Sequence, residues 1–254
     1  MYFNNVHILY YVVIAIVGLA VGKFIAWCNL RLPEKKKIFS KEFFKQNKEG
    51  IKYNYFFMII TAIAYVFLLY KIGLKKEFIK VLELAKFIVL IPILILTFSI
   101  DLKNRIIPNR LNLTLFEVGL LFAFLCGITS INMAKEYLFG AALGLLGFGI
   151  IFLLGWLIAG KDAIGFGDVK FMGAIGLYFG PNVIIEITLL AFILAAITSI
   201  AVVLIRNLIL KKKDEYIAFG PFLSLASLIC IFIPSGFVLN NFLAVCQMIS
   251  NAIF

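Results

Sequence analysis

The sequence predicts an all-α protein: a polytopic transmembrane helix bundle of about eight spans, with the N-terminus outside and a short cytoplasmic loop after the first span. Three observations lead there. Hydrophobic residues make up 63% of the 254, and mean hydropathy is +1.07, against roughly half apolar residues in a soluble domain. Apolar runs of about 20 residues, the length that crosses a bilayer as helix, recur along most of the chain. The Lys and Arg residues, finally, gather on alternate connecting loops.

Taken in order, the first run covers 8–29. Its lead-in, Met1 to His7, holds no Lys or Arg, and no small-x-small cleavage site precedes Arg31. It reads as a retained span rather than a cleaved signal. The stretch 31–53, RLPEKKKIFSKEFFKQNKEGIKY, mixes eight basic with three acidic residues. Phe39, Phe43 and Phe44 would form the apolar face of a short interfacial helix, with a solvated charged loop as the alternative. This stretch is too small for an independent soluble domain. Further spans are expected near 54–74, 82–100, 111–131, 138–159, 171–180, 183–205 and 219–239. The sixth is too short to cross alone unless Gly180-Pro181 sits inside the bilayer or the span starts earlier, so seven or nine spans also fit. The fifth carries Gly140, Gly144, Gly147, Gly149 and Gly155, small residues that let membrane helices pack closely.

The net charge of +11 is accounted for by topology, and no nucleic-acid partner is expected. With the N-terminus outside, the loops 30–53, 101–110, 160–170 and 206–218 face the cytoplasm and hold 17 of the 24 basic residues; the outside segments hold five. That bias follows the positive-inside rule, with contact to anionic membrane lipid expected at the inner face. The four cysteines, Cys28, Cys126, Cys230 and Cys246, are widely separated, which argues against a zinc site or a disulfide framework.

Acidic residues are scarce enough to take one by one. Asp214, in KKKDEY, and Asp162, beside Lys161, read as loop charges. Glu117 and Glu186 fall nearer span interiors, where an ionisable group is costly and a candidate for function. Asp101 closes the apolar run FIVLIPILILTFSI and opens DLKNRIIPN, and Asp168 closes GFGDVK. Both fall on the predicted cytoplasmic side, so the hairpins of spans 3–4 and 5–6 can bring them together at the bilayer boundary. Gly165 and Gly167 permit a close backbone approach, and Pro108 restarts the helix after Asp101. Two carboxylates at short range hold one proton between them. The ionised one can then activate water while the protonated one donates to a carbonyl oxygen, with no metal or cofactor. Two loop aspartates paired with Lys103, Arg105 or Lys170 are the plain alternative, and spacing alone does not separate these readings.

At these residues the sequence resembles the type IV prepilin leader peptidases, aspartic peptidases with a Gly-x-Gly-Asp motif. Asp101 with Ile107-Pro108-Asn109 matches one family element, and Gly165-Phe166-Gly167-Asp168-Val169-Lys170 matches the Gly-x-Gly-Asp-x-Lys element. Phe219-Gly220-Pro221-Phe222-Leu223 matches the start of the family's last span. Gly22, Phe24 and Arg31-Leu32-Pro33 match an N-terminal Gly-Ser-Phe-x-Asn…Arg-Leu-Pro element, with Lys23 and Ala26 in place of its Ser and Asn. The resemblance implies that Asp101 and Asp168 are catalytic, with Gly165, Gly167, Lys170, Pro108 and Asn109 as supporting motif residues. It implies N-terminal spans with the basic loop over 1–80, and an aspartic peptidase membrane core over 81–254. The implied substrate is a prepilin or pseudopilin precursor, cut between a basic leader and an apolar helix at the cytoplasmic face of the inner membrane. Many members also methylate the new N-terminus with S-adenosylmethionine, which makes that cofactor an expectation for a second activity only. The cytoplasmic loop lacks the two Cys-x-x-Cys pairs that bind zinc in many members, so zinc is not expected. A preflagellin- or signal-peptide-type intramembrane aspartic peptidase without methylation is the neighbouring reading. A transporter or assembly-platform protein whose aspartates relay protons or a cation is the reading from another class, although no internal repeat supports it.

Overall fold

The computed structural model describes residues 2–3, 6–38, 51–75, 77–159, 165–205 and 218–253. Phe39, Phe43, Phe44, Asp162 and Asp214 lie outside the described residues. Among the described residues, two two-residue strands, β1 (Tyr2–Phe3) and β2 (Val6–His7), pair antiparallel ahead of nine helices. These are α1 (Ile8–Arg31), α2 (Ile51–Ile72), α3 (Phe78–Asn104), α4 (Asn109–Thr129), α5 (Ile131–Ala159), α6 (Phe166–Phe179), α7 (Pro181–Ile205), α8 (Gly220–Phe232) and α9 (Phe237–Ile253).

The helical membrane class holds, and the span count falls at the lower end of what the sequence allowed. Among the described residues, six helices (α1 to α5 and α7) are long and apolar enough to cross a membrane, or seven spans if α8 and α9 count as one bent pair. The expected sixth span is α6, with 14 residues. At 1.5 Å rise per residue it is about 21 Å long, short of a hydrocarbon core of about 30 Å. It packs instead against α4, α5 and α7, with every residue from Phe171 to Tyr178 buried. A helix apolar on all faces finds its place inside a bundle. The expected eighth span is broken: α8 and α9 meet at 104°. Pro234 has no amide to continue the helix, and Gly236 turns the chain at φ +87°.

Close packing of α6 rests on absent side chains. A Cβ on Gly176 would lie 2.3 Å from the Gly140 carbonyl, and one on Gly144 would lie 2.4 Å from the Met172 oxygen. Of the α5 glycines, Gly140 and Gly144 therefore form the contact with α6, whereas Gly147 and Gly149 have no such neighbour within 4 Å. The mouth of the bundle owes its position to this α5–α6 contact, because α6 begins beside Asp168.

Helix ends inside the bundle are satisfied by charged side chains from other helices, as a low-dielectric surround requires. Lys86, buried on α3, donates to the Tyr178 carbonyl at the C-terminus of α6 (2.7 Å) and to the Tyr137 hydroxyl (3.2 Å). Lys71 donates to the Ile231 and Ile233 carbonyls at the end of α8 (2.7 and 3.3 Å). Glu186 accepts from the Gly236 and Val238 amides at the start of α9. The buried Glu186 that the sequence offered as a functional candidate thus holds the α8–α9 corner together with Lys71.

Gly176→Val is expected to destabilise the protein by at least about 1–3 kcal/mol through overpacking against backbone. Gly147→Ala, where the added methyl meets open space, should stay within about 0.5 kcal/mol of the parent or gain slightly from helix propensity. Thermal unfolding in detergent or lipid would separate the two.

Candidate active site

Asp101 sits in the last turn of α3, four residues before the helix stops. The stop is made by Arg105, whose left-handed backbone (φ +56°) sends its amide back to the Asp101 carbonyl at 2.8 Å. Three residues further on, Pro108 is the N-cap of α4. Asp168 occupies the third position of α6, with Gly165 as the N-cap. Its amide donates to the Gly165 carbonyl at 2.9 Å, and its carboxylate accepts from the Gly165 amide. This is a capping box with aspartate as the returning acid, and a carboxylate in the first turn also suits the helix dipole. From α4, the Asn112 side-chain amide donates to the Gly167 carbonyl at 3.0 Å and ties the Gly-x-Gly-Asp turn to the neighbouring helix.

The third wall is the N-terminus of α8. A Cβ on Gly220 would lie 2.3 Å from an Asp101 carboxylate oxygen and 3.1 Å from an Asp168 carboxylate oxygen. Both carboxylates therefore converge on one Cα, no farther apart than the sum of those two distances. The Gly220 amide also hydrogen-bonds the Asp101 carboxylate. Asp101 is 4% and Asp168 7% exposed, so a like-charged pair stands in a partly desolvated place.

A cavity of about 1210 Å³ opens over this pair. Pro108, Asn109, Gly165, Gly167 and Lys170, the motif residues singled out in the sequence, all line it. Lys170 donates to the Asn109 side-chain oxygen at 3.2 Å, linking the two motifs across the mouth, and lies 4.8 Å over the Phe166 ring. From the N-terminal element, Leu32 and Pro33 also reach the cavity. Gly22 of that element serves packing instead, since a Cβ there would lie 2.4 Å from the Met58 Cα. Glu117 is exposed on α4, away from the pair. Asn112 was missed by sequence reasoning; a polar side chain three residues after the Pro-Asn pair was the available signal. Among the described residues, no group of three or more His, Cys, Asp or Glu side chains gathers as a metal site.

The described residues of the lining do not by themselves make up a site for S-adenosylmethionine. Among the described residues, its one carboxylate besides Asp101 and Asp168 is Glu34, which is paired with Lys36. The hydrogen bond from Lys36 holds the Glu34 carboxyl below the usual range. Among the described residues of this lining, no further acidic group is left for the ribose hydroxyls or amino group of such a cofactor.

A helical membrane bundle with two buried carboxylates meeting at one glycine is the class of protein so defined. Comparison with known proteins narrows it. Residues 88–200 match the model of the type IV leader peptidase family. The chain is 34% identical over 139 residues to a prepilin leader peptidase/N-methyltransferase of Aeromonas hydrophila, covering 54% of this chain and 44% of that protein. It is 30% identical over 139 residues to one from Escherichia coli (strain K12), covering 53% and 57%. It is 31% identical over 142 residues to the leader peptidase HopD of Escherichia coli, covering 53% of this chain and 84% of that protein. The chain belongs to the type IV leader peptidase family. It spans about half the length of most of the curated relatives it matches, 44% for the Aeromonas protein. No solved structure matches the chain.

Gly220→Ala is expected to push the two carboxylates apart. The added methyl cannot coexist with an Asp101 oxygen at 2.3 Å, and overpacking of this kind costs about 1–3 kcal/mol. A lowered thermal midpoint in lipid or detergent would register it, and an unchanged midpoint would show that the pair does not close on Gly220.

Proposed function

We propose that this chain is an aspartic endopeptidase that removes the basic leader from type IV prepilin or pseudopilin precursors, with Asp101 and Asp168 as the catalytic pair. The observation that carries this reading is the convergence of both carboxylates on Gly220 at the floor of one large cavity. Family membership and the names of the relatives support the substrate class. The peptidase core is residues 81–254, preceded by the N-terminal spans and basic loop over 1–80. The enzyme sits as a multi-pass protein in the inner membrane with this cavity facing the cytoplasm, as the excess of basic residues on that side supports.

The chemistry follows from the pair. With one proton shared between two close carboxylates, the ionised member takes a proton from a water held between them. That water attacks the scissile carbonyl carbon while the protonated member donates to the carbonyl oxygen. Collapse of the tetrahedral intermediate returns a proton to the leaving amine and restores the singly protonated pair. The Gly220 amide orients one carboxylate, and the Gly165 amide the other. Lys170 and Asn109 hold the two motif loops in register. Methylation of the new N-terminus, using S-adenosylmethionine, would be a second activity, which the names of the relatives support.

Two outcomes test the reading, with purified protein in lipid and a prepilin-like precursor. Asp101→Asn and Asp168→Asn, each checked for folding, should both lose cleavage by about 10²–10⁴-fold. Near parental cleavage by either variant would sink the pair assignment. The rate should also follow a bell with pH, falling when both carboxylates are protonated and again when both are ionised. Product mass in the same assay, with S-adenosylmethionine added, decides the second activity: an added methyl group on the new N-terminus establishes it, and its absence assigns the chain cleavage alone.

A further inference from the structure

A second groove, of about 660 Å³, runs beside the carboxylate cavity between α4, α5 and α6. Asn109 and Lys170 line both, so the two spaces share a rim. From that rim the groove follows one face of α4 through Asn112, Leu113 and Phe116. These positions recur at helical spacing and reach about 10 Å toward the bilayer interior at 1.5 Å per residue. The opposite wall is Ala142 and Leu145 of α5, and the floor is Gly173 and Ala174 of α6. Leu113, Phe116, Ala142 and Leu145 are exposed while the floor is buried. The groove thus opens sideways to lipid between α4 and α5, with Leu145 resting on Gly173 of its floor.

One polar atom in it points to a ligand with a hydrogen-bond donor. Asn112, 4% exposed, gives its amide to Gly167, and its Oδ1 is the one buried side-chain oxygen or nitrogen among the described residues that has no partner. A buried acceptor left unpaired is costly. The start of a helix offers what it lacks, because the first four amides there have no partner within their own helix.

We propose that this groove seats the apolar helix of the precursor, its first two turns lying along α4 and one of its free amides reaching Asn112. This rests on the peptidase reading above. It adds where the membrane-embedded part of the substrate lies and from which side it enters. A chain whose scissile bond lies over Asp101 and Asp168 continues past the shared rim at Asn109 and Lys170, and the groove is the apolar path that begins there.

The test uses the full chain in lipid and two substrates: a complete precursor, and a short soluble peptide that spans the scissile bond without the apolar helix. Ala142→Trp fills the groove from a lipid-exposed position, and Ile197→Trp, on the exposed face of α7, controls for an added indole in lipid. Ala142→Trp should raise KM for the complete precursor roughly ten-fold, about 1.4 kcal/mol of lost binding. Its effect on the short peptide should be several-fold smaller, and Ile197→Trp should leave both rates at the parental level. Independently of cleavage, Ala142→Cys should form a disulfide in membranes with a cysteine in the first two helical turns of the precursor, and with none placed four turns further on. Equal effects of Ala142→Trp on both substrates, or none on either, overturn the proposal, as does cross-linking without regard to position. If the parent cleaves neither substrate, the peptidase reading fails, and the position of the cross-link still decides the groove.

Discussion

The site exists because α8 brings a backbone without a side chain between two carboxylates. Gly220 is the only residue type that fits where a Cβ would lie within 3.1 Å of oxygens from both Asp101 and Asp168. Three separate parts of the chain must therefore arrive together: the end of α3, the start of α6 and the start of α8. Each arrival has its own local cause. Arg105 stops α3 in the left-handed region, Gly165 caps α6 with the help of Asp168 itself, and Pro221 in the first turn of α8 suits a helix start.

Keeping α6 in place is costly in a membrane protein. A short helix buried on all sides has carbonyls at its end with no water to meet them. Lys86 answers at the C-terminus of α6, while Gly140, Gly144 and Gly176 bring α5 close enough to close the bundle around it. The same logic explains the α8–α9 corner, where Lys71 and Glu186 satisfy opposite ends of a broken span. Lys71, Lys86 and Glu186 serve helix ends, and the pair at Gly220 stands apart from them because the two carboxylates face one another.

That contrast bears on how a membrane sequence is read. Glu186 and Asp101 both interrupt apolar stretches, and the cost of burying a charge marks both equally. What separates them is the partner. Glu186 finds backbone amides that are otherwise unsatisfied, which makes it structural. Asp101 and Asp168 meet a second acid and a cavity large enough for a polypeptide. The cavity also gathers motif residues that are distant in the chain, from Leu32 and Pro33 to Phe219.

Much of this was legible in the chain before any fold was known. Apolar length determined the helical membrane class and placed six of the helices near their observed positions. Asp101 and Asp168 stood out because few acids exist and these two lie at the ends of predicted cytoplasmic loops; the Gly-x-Gly-Asp and Pro-Asn patterns marked Pro108, Asn109, Gly165, Gly167 and Lys170 of the cavity lining. Hydropathy could not tell a spanning helix from one buried in the bundle, since α6 and a true span are equally apolar. It could not see the α8–α9 corner either, since the apolar run continues across Pro234. The roles of Lys86, Asn112 and Glu186, and the meeting of the two acids at Gly220, were decided by tertiary structure alone. Each depends on which backbone group or carboxylate a distant helix brings within hydrogen-bond range, and local sequence holds no record of that distance.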